Sequence, residues 1–136
     1  AAPGGRLAFS VLRSLAHHPV YATLAALLGE HAGAEAEAMM GSPFALGDAA
    51  AVRALVREAG LADAELRIVI GQERFPSVGA LVEWEAASSP LAGPLGRLSG
   101  DRRAALVSAL ERELAPYLDD GGLAFHNETH VVTATA

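Results

Sequence analysis

The alternation of apolar and polar positions divides the chain into strands and helices of clear type. Arg6-Leu7-Ala8-Phe9-Ser10-Val11-Leu12 is a short, mostly apolar run with aromatic and β-branched members, set behind the turn Pro3-Gly4-Gly5. Such a run predicts a strand buried on both faces, the pattern of a mid-sheet position. Pro19 then suits the first turn of a helix, and Val20, Tyr21, Leu24, Leu27, Leu28 and His31 recur at helical spacing up to Gly33. Its far side offers little polarity beyond Thr23 and Glu30, so the helix is either deeply buried or covers an apolar cavity. Glu35 to Met40 adds a turn or two before Gly41-Ser42-Pro43.

The next unit has the strongest local signals. Asp48 is an N-cap, Val52, Leu55, Val56 and Ala59 form a stripe, and Gly60 is a left-handed stop on which Leu61 can fold back. A strand over 65–75 follows and ends at Pro76. Ser77 caps a helix carrying Val78, Leu81, Val82 and Trp84, which Ser88-Ser89-Pro90 interrupts. Leu91, Leu95 and Leu98 predict a short helical turn, and a cleaner helix covers about 100–115. Asp119-Asp120-Gly121-Gly122 is a turn, and a final strand over 123–135 mixes apolar and polar positions. The expectation is an α/β fold of one domain, 1–136, with about three strands.

Candidate chemistry is sparse. Period two places His126, Glu128 and His130 on one strand face, but the outer pair lie roughly 13 Å apart at about 3.3 Å per residue. That span is too wide for one metal ion, so the cluster reads as a solvated or substrate-facing surface, with no metal expected. His17 and His18 sit between the first strand and the following helix, at the carboxyl end where open α/β sheets bind ligands. Two readings stand for them: a surface or helix-cap pair, or substrate contact with a neutral imidazole taking a proton, His18 being the candidate base. Ser10 and Arg13 share this rim. Tyr21, Phe75 and Trp84 either pack or line a small-molecule pocket. The candidate substrate residues are therefore Ser10, Arg13, His17, Tyr21 and Trp84. There is no G-x-S-x-G, P-loop or G-x-G-x-x-G carrier.

The totals narrow the partners. The 136 residues are 51% hydrophobic and include no Cys, which excludes disulfides and thiolate chemistry. All ten basic residues are Arg, and against sixteen acids they leave a net charge of −6. This disfavours capture of nucleic acid or anionic lipid. No apolar stretch is long enough to span a bilayer and no signal peptide is visible, so a cytoplasmic location is the expectation.

Three stretches carry a resemblance: Pro3-Gly4-Gly5-Arg6-Leu7 entering a strand; Pro43-Phe44-Ala45-Leu46-Gly47-Asp48 with the helix ending Glu58-Ala59-Gly60-Leu61 and the strand Glu65-Leu66-Arg67-Ile68-Val69-Ile70; and the closing Leu123-Ala124-Phe125 through Val131-Val132-Thr133-Ala134. In this order the chain resembles the carboxy-terminal half of class I S-adenosylmethionine-dependent methyltransferases that act on small molecules. The resemblance implies a partial Rossmann-like sheet whose last strand is antiparallel and inserted between the other two. Segments 19–40 and 77–118 would form a helical cap over the substrate. It also implies S-adenosylmethionine as cofactor of the complete enzyme only, because the family's glycine-rich cofactor loop and ribose-holding acid have no counterpart here. The isolated chain would then be inactive, and its first strand, lacking a neighbour, would favour a homodimer. The competing expectation is a non-catalytic binding or assembly module that dimerises through the exposed sheet edge. The two differ on whether the sequence encoded upstream ends in an acidic, glycine-rich loop.

Overall fold

A computed structural model describes residues 4–135. Of the opening Pro-Gly-Gly turn, Pro3 lies outside the described residues, while Gly4 takes the positive φ of 78° that a side chain would resist. The fold is mixed α/β: an open antiparallel sheet with helices. Its elements are β1 (Arg6–Leu12), α1 (Pro19–Ala32), α2 (Ala34–Gly41), α3 (Ala49–Glu58), β2 (Glu65–Phe75), α4 (Val78–Ser88), α5 (Ala92–Gly96), α6 (Gly100–Glu113), β3 (Leu118–Asp119) and β4 (Gly122–Thr135).

The strand order is β1-β4-β2, with β4 antiparallel to both neighbours, so β1 and β2 run parallel to each other. The last strand is thus inserted between the other two. The two-residue β3 pairs with the start of β4 through the Asp119–Gly122 turn, an addition that no hydrophobic pattern signalled.

Local chemistry explains the boundaries. The Asp48 carboxylate accepts the Ala51 N–H at 2.7 Å at the start of α3, and the Ser77 hydroxyl accepts the Ala80 N–H at 3.0 Å at the start of α4. At the end of α3, Leu61 N–H reaches the Val56 carbonyl and Gly60 N–H the Arg57 carbonyl, with Gly60 at a φ of 82°. This is a Schellman arrangement, and Leu61 folds back to pack with Val52 and Val56.

Helices cover both faces of the sheet. On one face α3 presses Val52 and Val56 against Val132, with Val11 and Leu66 beside them. On the other, α1, α2, α4, α5 and α6 enclose a larger core around Leu24, Leu28, Leu81, Leu106 and Leu110, which rests on Leu123 and Phe125. The long β4 serves both. Leu123 and Phe125 are buried on the second face, and His130, Val132 and Ala134 on the first. The mixed polarity of this strand records that change of covered face around Asn127 and Glu128.

One expectation is corrected. The run Arg6–Leu12 is not buried on both faces: Arg6 through Ser10 are exposed, with Leu7 at 36% and Phe9 at 37%. Among the described residues β1 pairs with β4 alone, so its apolar side chains lack cover beyond the free edge. Among the described residues no helix is long and apolar enough to cross a membrane.

Candidate functional site

The candidate residues gather where β4 changes its covered face, at the carboxyl ends of β1 and β2. Beyond Leu12, Arg13 continues the ladder by donating its N–H to the Glu128 carbonyl at 2.9 Å. Its guanidinium then binds the Glu128 carboxylate through Nη1 and meets His17 Nε2 through Nη2 at 2.9 Å. Arg has donors only, so Nε2 of His17 is the acceptor in this contact. Arg13 also holds the Glu128 carboxyl below the ordinary carboxylate range, chiefly through this hydrogen bond. His17, Gln72, Tyr117, Phe125, His126 and Glu128 line a cavity of about 370 Å³ beside this triad.

His18 is used differently. It is 1% exposed, with Nδ1 at 3.1 Å from the Ser14 carbonyl and Nε2 accepting the Glu128 N–H at 3.0 Å. The second bond satisfies a β4 amide just beyond the reach of β1. It requires Nδ1 to carry the proton, and leaves neither nitrogen free to accept another. The proposed base therefore sits in the structure as a mortise between the α1 entrance and the sheet.

Tyr21 leads to a second cluster, on the cap side. Its ring packs 5.5 Å from Phe44 and edge-on to Phe125 at 5.4 Å, with His18 at 6.4 Å. Its hydroxyl donates to Glu73 Oε2 at 2.9 Å, and Asn127 Nδ2 donates to Glu73 Oε1. Burial, reinforced by Glu73, pushes the Tyr21 phenol far above its usual pKa, so it remains a protonated donor. Glu85, on α4, is only 8% exposed, and burial raises its pKa. Trp84 is 59% exposed and shares an open hollow of about 400 Å³ with Glu73, Arg74 and Phe75 at the free edge of β2. Arg74 is turned to Asp119 by two hydrogen bonds of 2.7 Å.

The structure thus divides the sequence candidates. His17 borders one hollow, with Arg13 bound to it and to Glu128 of the same wall; Trp84 borders the other, and Tyr21 binds the Glu73 that lines it. His18 lies between them in the core. Ser10 is exposed on β1 opposite Val131 and joins neither group. Glu73, Glu85 and Asn127 are the residues sequence reasoning missed. Glu73 sits between Gln72 and Arg74 at the polar end of β2, and nothing along the sequence sets it apart from them. His130, paired in expectation with His126, is buried against the Gly47 carbonyl at 2.9 Å. Among the described residues no group of three His, Asp or Glu side chains is placed to hold a metal. No protein-family model matches the chain, and no curated protein matches it.

Proposed function

We propose that this chain is the carboxy-terminal, substrate-lid half of an S-adenosylmethionine-dependent methyltransferase acting on a small molecule. The observation that carries this is the insertion of β4, antiparallel, between two parallel strands, with the α1–α2 and α4–α6 layers over the carboxyl ends of those strands. Open α/β sheets bind ligands at that end, and both hollows lie there.

The residues present do not by themselves fit the cofactor. At the carboxyl ends of β1 and β2 the nearest carboxylates are already engaged, Glu128 by Arg13 and Glu73 by Tyr21 and Asn127. The turn after β1 is closed by backbone bonds from His17 and His18 to Ser14 and Leu15. No step is therefore assigned to this chain beyond holding and orienting the substrate and excluding water, which is where positioning contributes to rate. The free edge of β1 and the exposed Leu7 and Phe9 are where the other half of such a sheet would dock.

The same edge favours the second reading, an assembly module that pairs with another copy through β1. The two separate on activity. The chain joined to its upstream-encoded sequence transfers methyl groups from S-adenosylmethionine in the first case and does not in the second.

A further inference from the structure

We infer that the free edge of β2 pairs with β2 of a second copy, antiparallel and about a two-fold axis at Ile70. Arg67 of each copy then enters the hollow beside the partner's Glu73 and the partner's Trp84. Both readings of function place a neighbour at β1. This pairing is at the opposite edge of the sheet and depends on neither reading.

The middle of β2 is bare. Among the described residues the strand pairs with β4 alone, and Ile68, Val69 and Ile70 are 49%, 50% and 62% exposed, so both of its faces lie open there. Between Glu65 and Phe75 it carries no Pro and no Lys, the residues that discourage edge pairing. Which of its amides are free follows from the ladder. The Glu128 carbonyl accepts the Arg13 N–H, and the Glu128 N–H turns to His18 on that same side. Even-numbered positions of β4 therefore bond toward β1, and the odd ones, Asn127, Thr129 and Val131, bond toward β2. Their partners there are Gly71, Val69 and Arg67. Leu66, Ile68, Ile70 and Gln72 thus direct their N–H and C=O groups outward.

An antiparallel ladder forms only where opposed residues both point at each other, so even positions must face even positions. Charge selects among the registers left. Centred on Val69, the pairing would oppose Glu65 to the partner's Glu73. Centred on Gly71, it would set Arg67 against the partner's Phe75 and Glu73 against the partner's Val69. Centred on Ile70, it sets Arg67 against the partner's Glu73 in a non-bonded pair, where side chains come closest, and Ile70 against the partner's Ile70. Only the last register matches unlike charges.

The receiving hollow stands at the end of the same strand. Glu73, Arg74, Phe75 and Trp84 enclose about 400 Å³ there, and Arg74 is committed to Asp119. Glu73 is fixed by the neutral donors Tyr21 and Asn127. Among the described residues no Arg or His nitrogen lies within ion-pair distance of Glu73, and no carboxylate lies within that distance of Arg67. Period two puts Arg67 and Glu73 on one face of β2. The partner's Arg67 therefore arrives on the face that carries Glu73, beside a Trp84 ring that is 59% exposed, and adds cation–π attraction to the ion pair. Phe75, stacked on Phe125, marks the end of β2 that the cap covers. The two-fold axis sends the two caps to opposite ends of the paired strands.

One strand edge per copy makes a small, transient interface, so cross-linking at several hundred micromolar is the suitable test. The chain has no Cys, and one introduced thiol gives an unambiguous readout. With oxidised glutathione, I70C should form a disulfide-linked dimer, because bonded pairs hold their Cα atoms about 5.5 Å apart, within disulfide reach. I68C, exposed on the same face, would meet its own copy roughly 14 Å away and should link at least about tenfold more slowly. R67E added to I70C should slow linkage about tenfold, by facing the partner's Glu73 with a like charge. F9K, at the β1 edge, should leave the I70C rate unchanged. I68C linking as fast as I70C would overturn the assignment, as would an R67E variant that folds by circular dichroism and links at the parent rate. An I70C protein that links to an F9C protein faster than to itself would make β1 of another copy the occupant, and would overturn it too. If R67E does not fold, the comparison of I70C with I68C still decides. Absence of methyl transfer in a longer chain bears on none of these outcomes.

Discussion

Nε2 of His18 accepts the backbone N–H of Glu128 at 3.0 Å, across 110 positions of sequence. This bond ties the start of α1 to the central strand where β1 has run out, and Nδ1 secures the other side on Ser14. The imidazole is thus a structural fastener beside the hydrogen-bonded cluster of Glu73, Tyr21 and Asn127.

H18A is expected to lower stability by about 2–4 kcal/mol, from the lost buried ring and the Glu128 N–H left without a partner. H18F, which keeps the ring volume, should recover the packing part and still lack the bonds. Urea unfolding of the three proteins measures this. An H18A variant as stable as the parent would return His18 to the list of functional candidates.

Gly47 approaches the Arg13–Ser14 backbone so closely that a Cβ there would stand 2.0 Å from the Ser14 nitrogen. Its carbonyl also meets buried His130. G47A must push the 42–48 segment away from the end of β1, at a cost of at least about 2 kcal/mol. G41A, where a Cβ meets nothing within 4 Å, is the matched control and should stay near the parent. Thermal denaturation of both variants tests the contrast.

Glu85 gives a pH dependence of definite sign. Burial raises its folded pKa above the unfolded value, so the folded state binds the proton more tightly. Its penalty on stability is absent below the unfolded pKa, about 4.3, and grows as pH rises through the folded pKa. E85Q should therefore be more stable than the parent at pH 7, with the gap closing toward pH 4. A gap of opposite sign at pH 7 would mean that the carboxylate is stabilised by a charge partner.

Asp119 runs the other way. Two hydrogen bonds from Arg74, with a third from Gly121 N–H, hold its carboxyl down to about 2. The stabilisation is present above the unfolded pKa, 3.8, and is lost as pH falls toward about 2. D119N should be slightly less stable than the parent at pH 7 and indistinguishable at pH 2. Because the pair is exposed, added salt should shrink the difference.

The free edge of β1 carries exposed Leu7 and Phe9 and no Lys or Pro that would discourage pairing. Concentration-dependent association to a homodimer is the expected result in sedimentation at tens of micromolar, and F9K should shift it toward monomer. A stable monomer with low affinity for a hydrophobic dye would show that this edge recruits nothing.

Much of the fold was legible because its signals are local. Asp48, Gly60 and Ser77 act within one turn of their own positions, and the strand 65–75 and the helix after Pro19 follow from periodicity. What was not legible depends on pairs far apart. Tyr21 meets Glu73 52 residues away, and Asn127 meets it 54 away. No pattern along the chain joins them. His18 looked like a base because two adjacent histidines at a strand end suggest chemistry. Its commitment to Ser14 and Glu128 appears only once β4 is placed beside it. The apolar run 6–12 suggested a doubly covered strand, yet apolar residues along a strand do not by themselves place a neighbour on each side of it. Ser99, which caps α6 by accepting the Arg102 N–H, was a local signal that went unused.

The most direct test of the central proposal is calorimetric titration of S-adenosylmethionine into two proteins, this chain and the same chain preceded by its upstream-encoded sequence. The chain alone should show no binding tighter than about 1 mM, roughly −4 kcal/mol, and the longer protein should bind in the micromolar range. Tight binding to the chain alone would contradict the half-enzyme account, and so would a folded longer protein that binds no better.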